Sequence, residues 1–104
     1  MSETKFTNEE WFIQDFQGKG SCIDIDSKKG NICQVYSLVE TNYKTLHNDE
    51  LKANAALISA APDMFNALLD LYEDKEVWQD LYASQQEFIV NVLNKATGSS
   101  FFKH

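Results

Sequence analysis

Ala53-Asn54-Ala55-Ala56-Leu57-Ile58-Ser59-Ala60-Ala61-Pro62-Asp63-Met64-Phe65-Asn66-Ala67-Leu68-Leu69 writes two helical patterns across an Ala-Ala-Pro joint. Proline disfavours helical geometry at the residue before it and suits the first turn of a new helix. Pro62, the single proline of the chain, therefore ends one helix near Ala60-Ala61 and starts another at Pro62-Asp63. Working back from the joint, Asn48 is a good N-cap, and Asp49 and Glu50 follow where the helix dipole favours negative charge. Leu51, Ala55 and Ile58 share one face, with Leu57 and Ala61 beside it, which predicts a helix over residues 48–61.

Working forward, no Gly or Pro interrupts the chain between Met64 and Gly98. Met64, Leu71, Trp78, Gln85 and Val92 recur at intervals of seven, with Leu81 and Phe88 between them and Leu68, Tyr82 and Ile89 alongside. Because this phase survives the polar stretch Glu73-Asp74-Lys75-Glu76, one long helix over 63–95 is expected, with a kink near 73–76 as the variant. Such a helix would reach about 50 Å, more than a domain of this size covers alone. Its second half must then lie on the rest of the fold or on another copy of the chain. Trp78, Leu81, Gln85, Phe88 and Val92 are the candidate oligomer seam, in which Gln85 is the polar residue that would set register. Residues 98–104 form a tail, and its adjacent Phe101 and Phe102 should dock in a groove of the same assembly.

The first half reads as strands. Residues 1–10 are polar and expected to be flexible or loosely docked. Trp11-Phe12-Ile13-Gln14-Asp15-Phe16 is aromatic and short, Ser21-Cys22-Ile23-Asp24-Ile25-Asp26 alternates apolar with polar, and Ile32 to Val39 returns after the turn Lys28-Lys29-Gly30-Asn31. A three-stranded antiparallel meander over 11–39 follows, with an Ile23, Ile25 and Ile32 face seeking apolar cover. Pairing Asp26 with Asn31 puts Ile25 opposite Ile32, Ile23 opposite Gln34 and Cys22 opposite Val35, unless a bulge at Gly30 shifts the register. Glu40 to Leu46 is a polar connector, with room for a short strand or turn near Tyr43. The fold class is α+β in one domain, 1–104.

Composition narrows the function. With 104 residues and 43% hydrophobic content the chain can bury a core, though at a size where a partner copy often helps. Sixteen acidic residues face nine basic ones, every basic residue is lysine, and the net charge is −7. Arginine supplies the planar fork that grips phosphates, so its absence with this acidity argues against direct nucleic-acid binding or phosphate chemistry. Proteins with basic surfaces are the better partners. No segment approaches a membrane span and the N-terminal residues lack signal-peptide order, so a cytoplasmic location is expected. Cys22 and Cys33 are then reduced thiols that serve as small hydrophobes.

No constellation for catalysis stands out, and no cofactor or metal is expected. His47 and His104 read as solvated surface groups, and Cys22 with His47 is the weak thiol-and-base pairing an enzyme would need. Asp24 and Asp26 alternate on a strand face but lack the other ligands of a calcium loop. The strongest charged feature is Asp63, Asp70, Glu73, Asp74, Glu76 and Asp80: six negative charges less Lys75 leave −5 between positions 63 and 80. On a helix they line up in two broad rows. Such rows can imitate a nucleic-acid backbone and occupy a basic groove, while the plainer reading is a solvated face that keeps the chain soluble.

The segment 53–69 resembles one that recurs in small proteins of tailed bacteriophages and prophages, with the pattern ANAxLIxAAPxxxxAL, where it follows a short β-rich region as it does here. Members usually carry an arginine within the Ala-Asn-Ala-x-Leu element, where this chain has Ala56. The resemblance implies a phage origin and a fold type, and it brings no activity to transfer residue by residue. Small accessory phage proteins commonly bind and inhibit host proteins, including defence nucleases such as CRISPR complexes. The expected function is accordingly a non-enzymatic accessory protein, a homodimer in the bacterial host cytoplasm, that engages a basic host protein and inhibits host defence. The alternative is an assembly module that builds a helical homo-oligomer.

Overall fold

The computed structural model describes residues 5–14, 22–38 and 47–103. It is α+β: strands β1 (Phe12–Gln14), β2 (Cys22–Ser27) and β3 (Gly30–Tyr36) precede helices α1 (Asp49–Ser59), α2 (Ala61–Glu73), α3 (Lys75–Asp80) and α4 (Ala83–Thr97). The chain divides into two compact units, residues 9–62 and residues 63–104 with 1–8. The expected connector at 40–46, with Tyr43, and His104 lie outside the described residues.

In the first unit the strands form an antiparallel sheet in the order β1-β2-β3. Asp26 pairs with Asn31 as expected, and Asn31 Nδ2 donates to Asp26 Oδ1 at 2.7 Å. The remaining pairs are displaced by one: Ile25 faces Cys33, Ile23 faces Val35 and Cys22 faces Tyr36, because a bulge between the Asp26 and Ile25 pairs leaves Ile32 extra. Facing selects this register. Without the bulge Gln34 would lie opposite Ile23 on the covered face; with it, Val35 joins Ile23 and Ile25 there. Those three are 8% exposed or less and pack with Leu51 and Ala55 of α1, flanked by Trp11, Ile32, Cys33 and Ile58.

Helix α1 begins where Asn48 Oδ1 accepts the Leu51 N–H at 2.7 Å. The same side chain donates from Nδ2 to Ser37 Oγ at 2.7 Å, tying the start of the helix to the chain just beyond β3. Beside this tie His47, the residue before the cap, is buried at 4% exposure. The expectation of a solvated His47 is therefore corrected. Ala60 closes α1, its N–H reaching Ala56 O and Leu57 O at 3.2 Å each. Pro62 then sits buried in the first turn of α2, where no intrahelical N–H is required.

In the second unit the continuous 63–95 helix does not form. The chain leaves helical geometry at Asp74 (ψ 99°) and again at Leu81 and Tyr82 (ψ 146° and 152°). The first interruption falls in the anticipated 73–76 region. There Asp74 Oδ1 accepts the N–H groups of Glu76 and Val77, both at 3.2 Å, and so opens α3 rather than continuing α2. At the second, Gln85 Oε1 accepts the Tyr82 N–H at 2.9 Å, half of a capping box that starts α4. Folding back in this way lets Ile89, Val90 and Leu93 of α4 share one core with Phe65 and Leu69 of α2. Phe6 also reaches this core, edge-on to Phe65 at 4.9 Å, while Asn66 Nδ2 donates to Asn8 Oδ1 at 3.1 Å. Phe102 completes it at 2% exposure, while Phe101 stays 59% exposed.

Candidate functional site

The sequence-predicted carboxylates all lie on the surface of the second unit, with Asp63, Asp70 and Glu73 on α2, Glu76 and Asp80 on α3, and Asp74 between the helices. Asp63 and Asp70 are seven residues apart, so they fall about 20° from one another around α2, with Glu73 about 60° further on. The two rows expected on a continuous helix are broken at Asp74. That residue acts as the cap of α3, with one of its oxygens engaged by backbone N–H groups.

Position along each helix separates the other five. Asp63 and Glu76 stand in first turns, where exposed N–H groups welcome negative charge. Asp70 and Glu73 occupy the last turn of α2, and Asp80 ends α3; neither turn holds a basic residue. There the backbone carbonyls already present partial negative charge, so these three carboxylates oppose the helix dipole. A carboxylate needed only for solubility would serve equally well elsewhere.

The predicted oligomer seam is divided by the same break. Trp78 is half-buried against Tyr72, edge-on at 5.1 Å, and both Trp78 and Leu81 pack on the unit's own core. Gln85 is exposed and caps α4 through the Tyr82 N–H. Phe88, 69% exposed, lies on the side of α4 away from Ile89, Val90 and Leu93, and helical spacing puts Gln85 and the half-buried Val92 on that side with it.

Cys22 and Cys33 are free and half-buried. Burial first, and the nearby Asp24 carboxylate second, push the Cys33 thiol above its ordinary range, which keeps it protonated and a poor nucleophile at neutral pH. Within the same unit, a cavity of about 240 Å³ is lined by Glu9, Glu10, Phe12 and Lys28. Glu9 Oε2 and Asp24 Oδ1 are buried and accept no hydrogen bond. Among the described residues, no group of three His, Cys, Asp or Glu side chains could hold a metal ion, and no helix is long and apolar enough to cross a membrane.

Two residues with a specific task carried no signal in the sequence. Asn94 and Tyr72 hold the C-terminal segment through its main chain, with Asn94 Nδ2 donating to Phe102 O at 3.2 Å and Tyr72 Oη donating to Lys103 O at 2.7 Å. Neither fits a motif, since the pairing spans 8 residues in one case and 31 in the other.

A family model described as Salmonella phage P22 protein Y8K6 matches residues 1–100. No curated protein and no solved structure gave a match.

Proposed function

Because the chain belongs to the Salmonella phage P22 protein Y8K6 family, we propose that it is a non-enzymatic phage accessory protein that binds a host protein through the carboxylates of α2 and α3, with inhibition of a host-defence nuclease complex as its concrete form. The observation that carries this reading is the placement of Asp70, Glu73 and Asp80 at helix C-terminal ends whose last turns hold no basic residue. Each sits where its charge costs local stability, and a basic partner would relieve that cost on binding. The arginine-free composition and net charge of −7 favour the same kind of partner, steering encounter with a basic surface over a range set by ionic strength.

The test is plating efficiency. A phage targeted by a host nuclease defence is plated on cells with and without this chain, and on cells carrying the charge-reversed triple Asp70→Lys, Glu73→Lys, Asp80→Lys. The wild-type chain should raise plaque numbers and the triple should not. Asp74 is left intact because its loss would damage the start of α3. Failure of the wild-type chain to protect the phage against any of the host's nuclease defences removes the inhibitory form of the proposal.

A second reading, a helical homo-oligomer, draws on exposed Phe88 with Gln85 and Val92 on its side of α4. Light scattering across micromolar concentrations distinguishes it. A monomer throughout eliminates the oligomer, whereas a dimer that Phe88→Ser dissociates supports it.

A further inference from the structure

The C-terminal segment is held in an unusual manner for a piece of core. Helix α4 ends at Gly98, whose φ of 64° turns the chain back, and Ser99 N–H returns to Asn94 O at 3.0 Å. Beyond this turn, Asn94 meets both main-chain groups of one residue: Phe102 N–H donates to Asn94 Oδ1 at 2.9 Å, and Asn94 Nδ2 donates to Phe102 O at 3.2 Å. The Tyr72 hydroxyl does the same for the next, accepting from Lys103 N–H at 3.2 Å and donating to Lys103 O at 2.7 Å.

Most hydrogen bonds in a folded protein run from backbone to backbone. Here four successive main-chain groups are instead read by two side chains. Between these clamps the Phe102 ring is 2% exposed, edge-on to Tyr72 at 5.2 Å and packed with Phe65, Leu69, Ile89, Val90 and Leu93. Phe101, by contrast, contributes an exposed ring. An aromatic anchor in an apolar pocket, flanked by polar side chains that grip the main chain, is how proteins recognise extended peptides.

We infer that the groove between α2 and α4 is a peptide-recognition site whose resident ligand is the chain's own tail, and that it accepts an extended segment of another polypeptide bearing a phenylalanine anchor once the tail swings out. Nothing in the clamps depends on which chain supplies the segment, since they touch main-chain atoms. The anchor pocket supplies the selectivity, and the tail acts as a plug that an incoming segment must displace. This site is separate from the α2 and α3 carboxylates proposed above and stands or falls independently of them.

The experiment uses the full chain and a fluorescent peptide with the sequence of residues 98–104. Phe102→Ala empties the anchor pocket while leaving the clamps, so the peptide should bind this variant saturably. It should bind wild type at least about tenfold more weakly, because the tethered tail competes at a high effective concentration. Alanine at the peptide's second phenylalanine should abolish binding, whereas alanine at the first should change it less than about threefold. Adding Asn94→Ala to the Phe102→Ala chain should weaken binding about tenfold or more, since two main-chain hydrogen bonds are lost. Absence of binding to folded Phe102→Ala, equal binding to wild type, or indifference to the anchor phenylalanine would each overturn the inference. If Phe102→Ala loses its tertiary structure, Phe102→Leu serves in its place; loss of structure in both makes the tail indispensable core and equally overturns it.

Discussion

Neutralising Asp70, Glu73 and Asp80 should stabilise the protein, although most surface substitutions are neutral or mildly destabilising. The three carboxylates end helices α2 and α3, and no lysine shares their turns. For exposed groups at a helix end the dipole interaction lies near the low limit of its range, about 0.3 kcal/mol each, with α3 contributing least because it has only 6 residues. Asp70→Asn, Glu73→Gln and Asp80→Asn together should gain about 1 kcal/mol, or roughly 4–8 °C in Tm for a domain of this size. The assay is thermal unfolding followed by circular dichroism at about 10 mM and about 500 mM salt, where the Debye length shrinks from roughly 30 Å to under 10 Å. The gain should be clear at low salt and largely gone at high salt. Removing negative charge also relieves general repulsion in an acidic chain, so a control is required. Asp63→Asn with Glu76→Gln removes charge from helix N-termini, where the same dipole is favourable, and should give no gain or a small loss. Equal stabilisation by both sets would refute the dipole argument and leave only net charge.

Three further outcomes follow from the packing. Asp74→Ala, which orphans the Glu76 and Val77 N–H groups, should cost about 1 kcal/mol and accelerate amide exchange across 75–80, whereas Asp74→Asn should retain the cap; equal exchange in the two variants would contradict the capping role. Leu93→Ala, at a site with 0% exposure in the helical core, should cost about 2–5 kcal/mol in urea unfolding, while Phe88→Ala on the opposite side of α4 should cost under about 0.5 kcal/mol in a monomer. Burial raises the Cys33 thiol, so the folded state holds its proton more tightly than the unfolded one; stability should be complete below the ordinary thiol range and decline as pH rises through the raised value. Cys33→Ala should flatten that alkaline decline in pH-dependent unfolding, and an unchanged slope would assign it to other groups.

Local features were the legible ones. Asn48, Asp49 and Glu50 announced α1 because a cap and its first turn are written within four residues, and the Pro62 joint was legible because proline acts on its own neighbours. The hairpin is legible from alternation, and so is the chance of a register-shifting bulge, but its place at Ile32 rather than Gly30 is not, since that choice depends on whether Val35 or Gln34 joins the face under α1. The interruption near Asp74 was foreshadowed by polarity. The one at Leu81 and Tyr82 was hidden because the seven-residue spacing runs through it unbroken, and only the gain from folding α4 back onto α2 decides against a straight helix. The same closure explains why Trp78 and Leu81 serve the unit's own core. The burial of His47 is not legible, because its neighbour Asn48 bonds to Ser37, eleven residues away, and nothing local in the sequence marks that approach. All six candidate carboxylates are exposed, and Asp74 has in addition a capping duty that its position in the sequence does not reveal.

Site-specific photo-crosslinking in infected cells reads out whether α2 and α3 present the surface that meets a host protein. A photoreactive residue at exposed Ala67 on α2 or Gln79 on α3 should trap the same host protein, and the Asp70→Lys, Glu73→Lys, Asp80→Lys background should abolish the adduct. The same probe at Leu57, 62% exposed on α1, serves as the comparison and should trap nothing. Adducts that form equally from all three positions, or that persist after charge reversal, would mean that the α2 and α3 carboxylates are not the partner-binding surface.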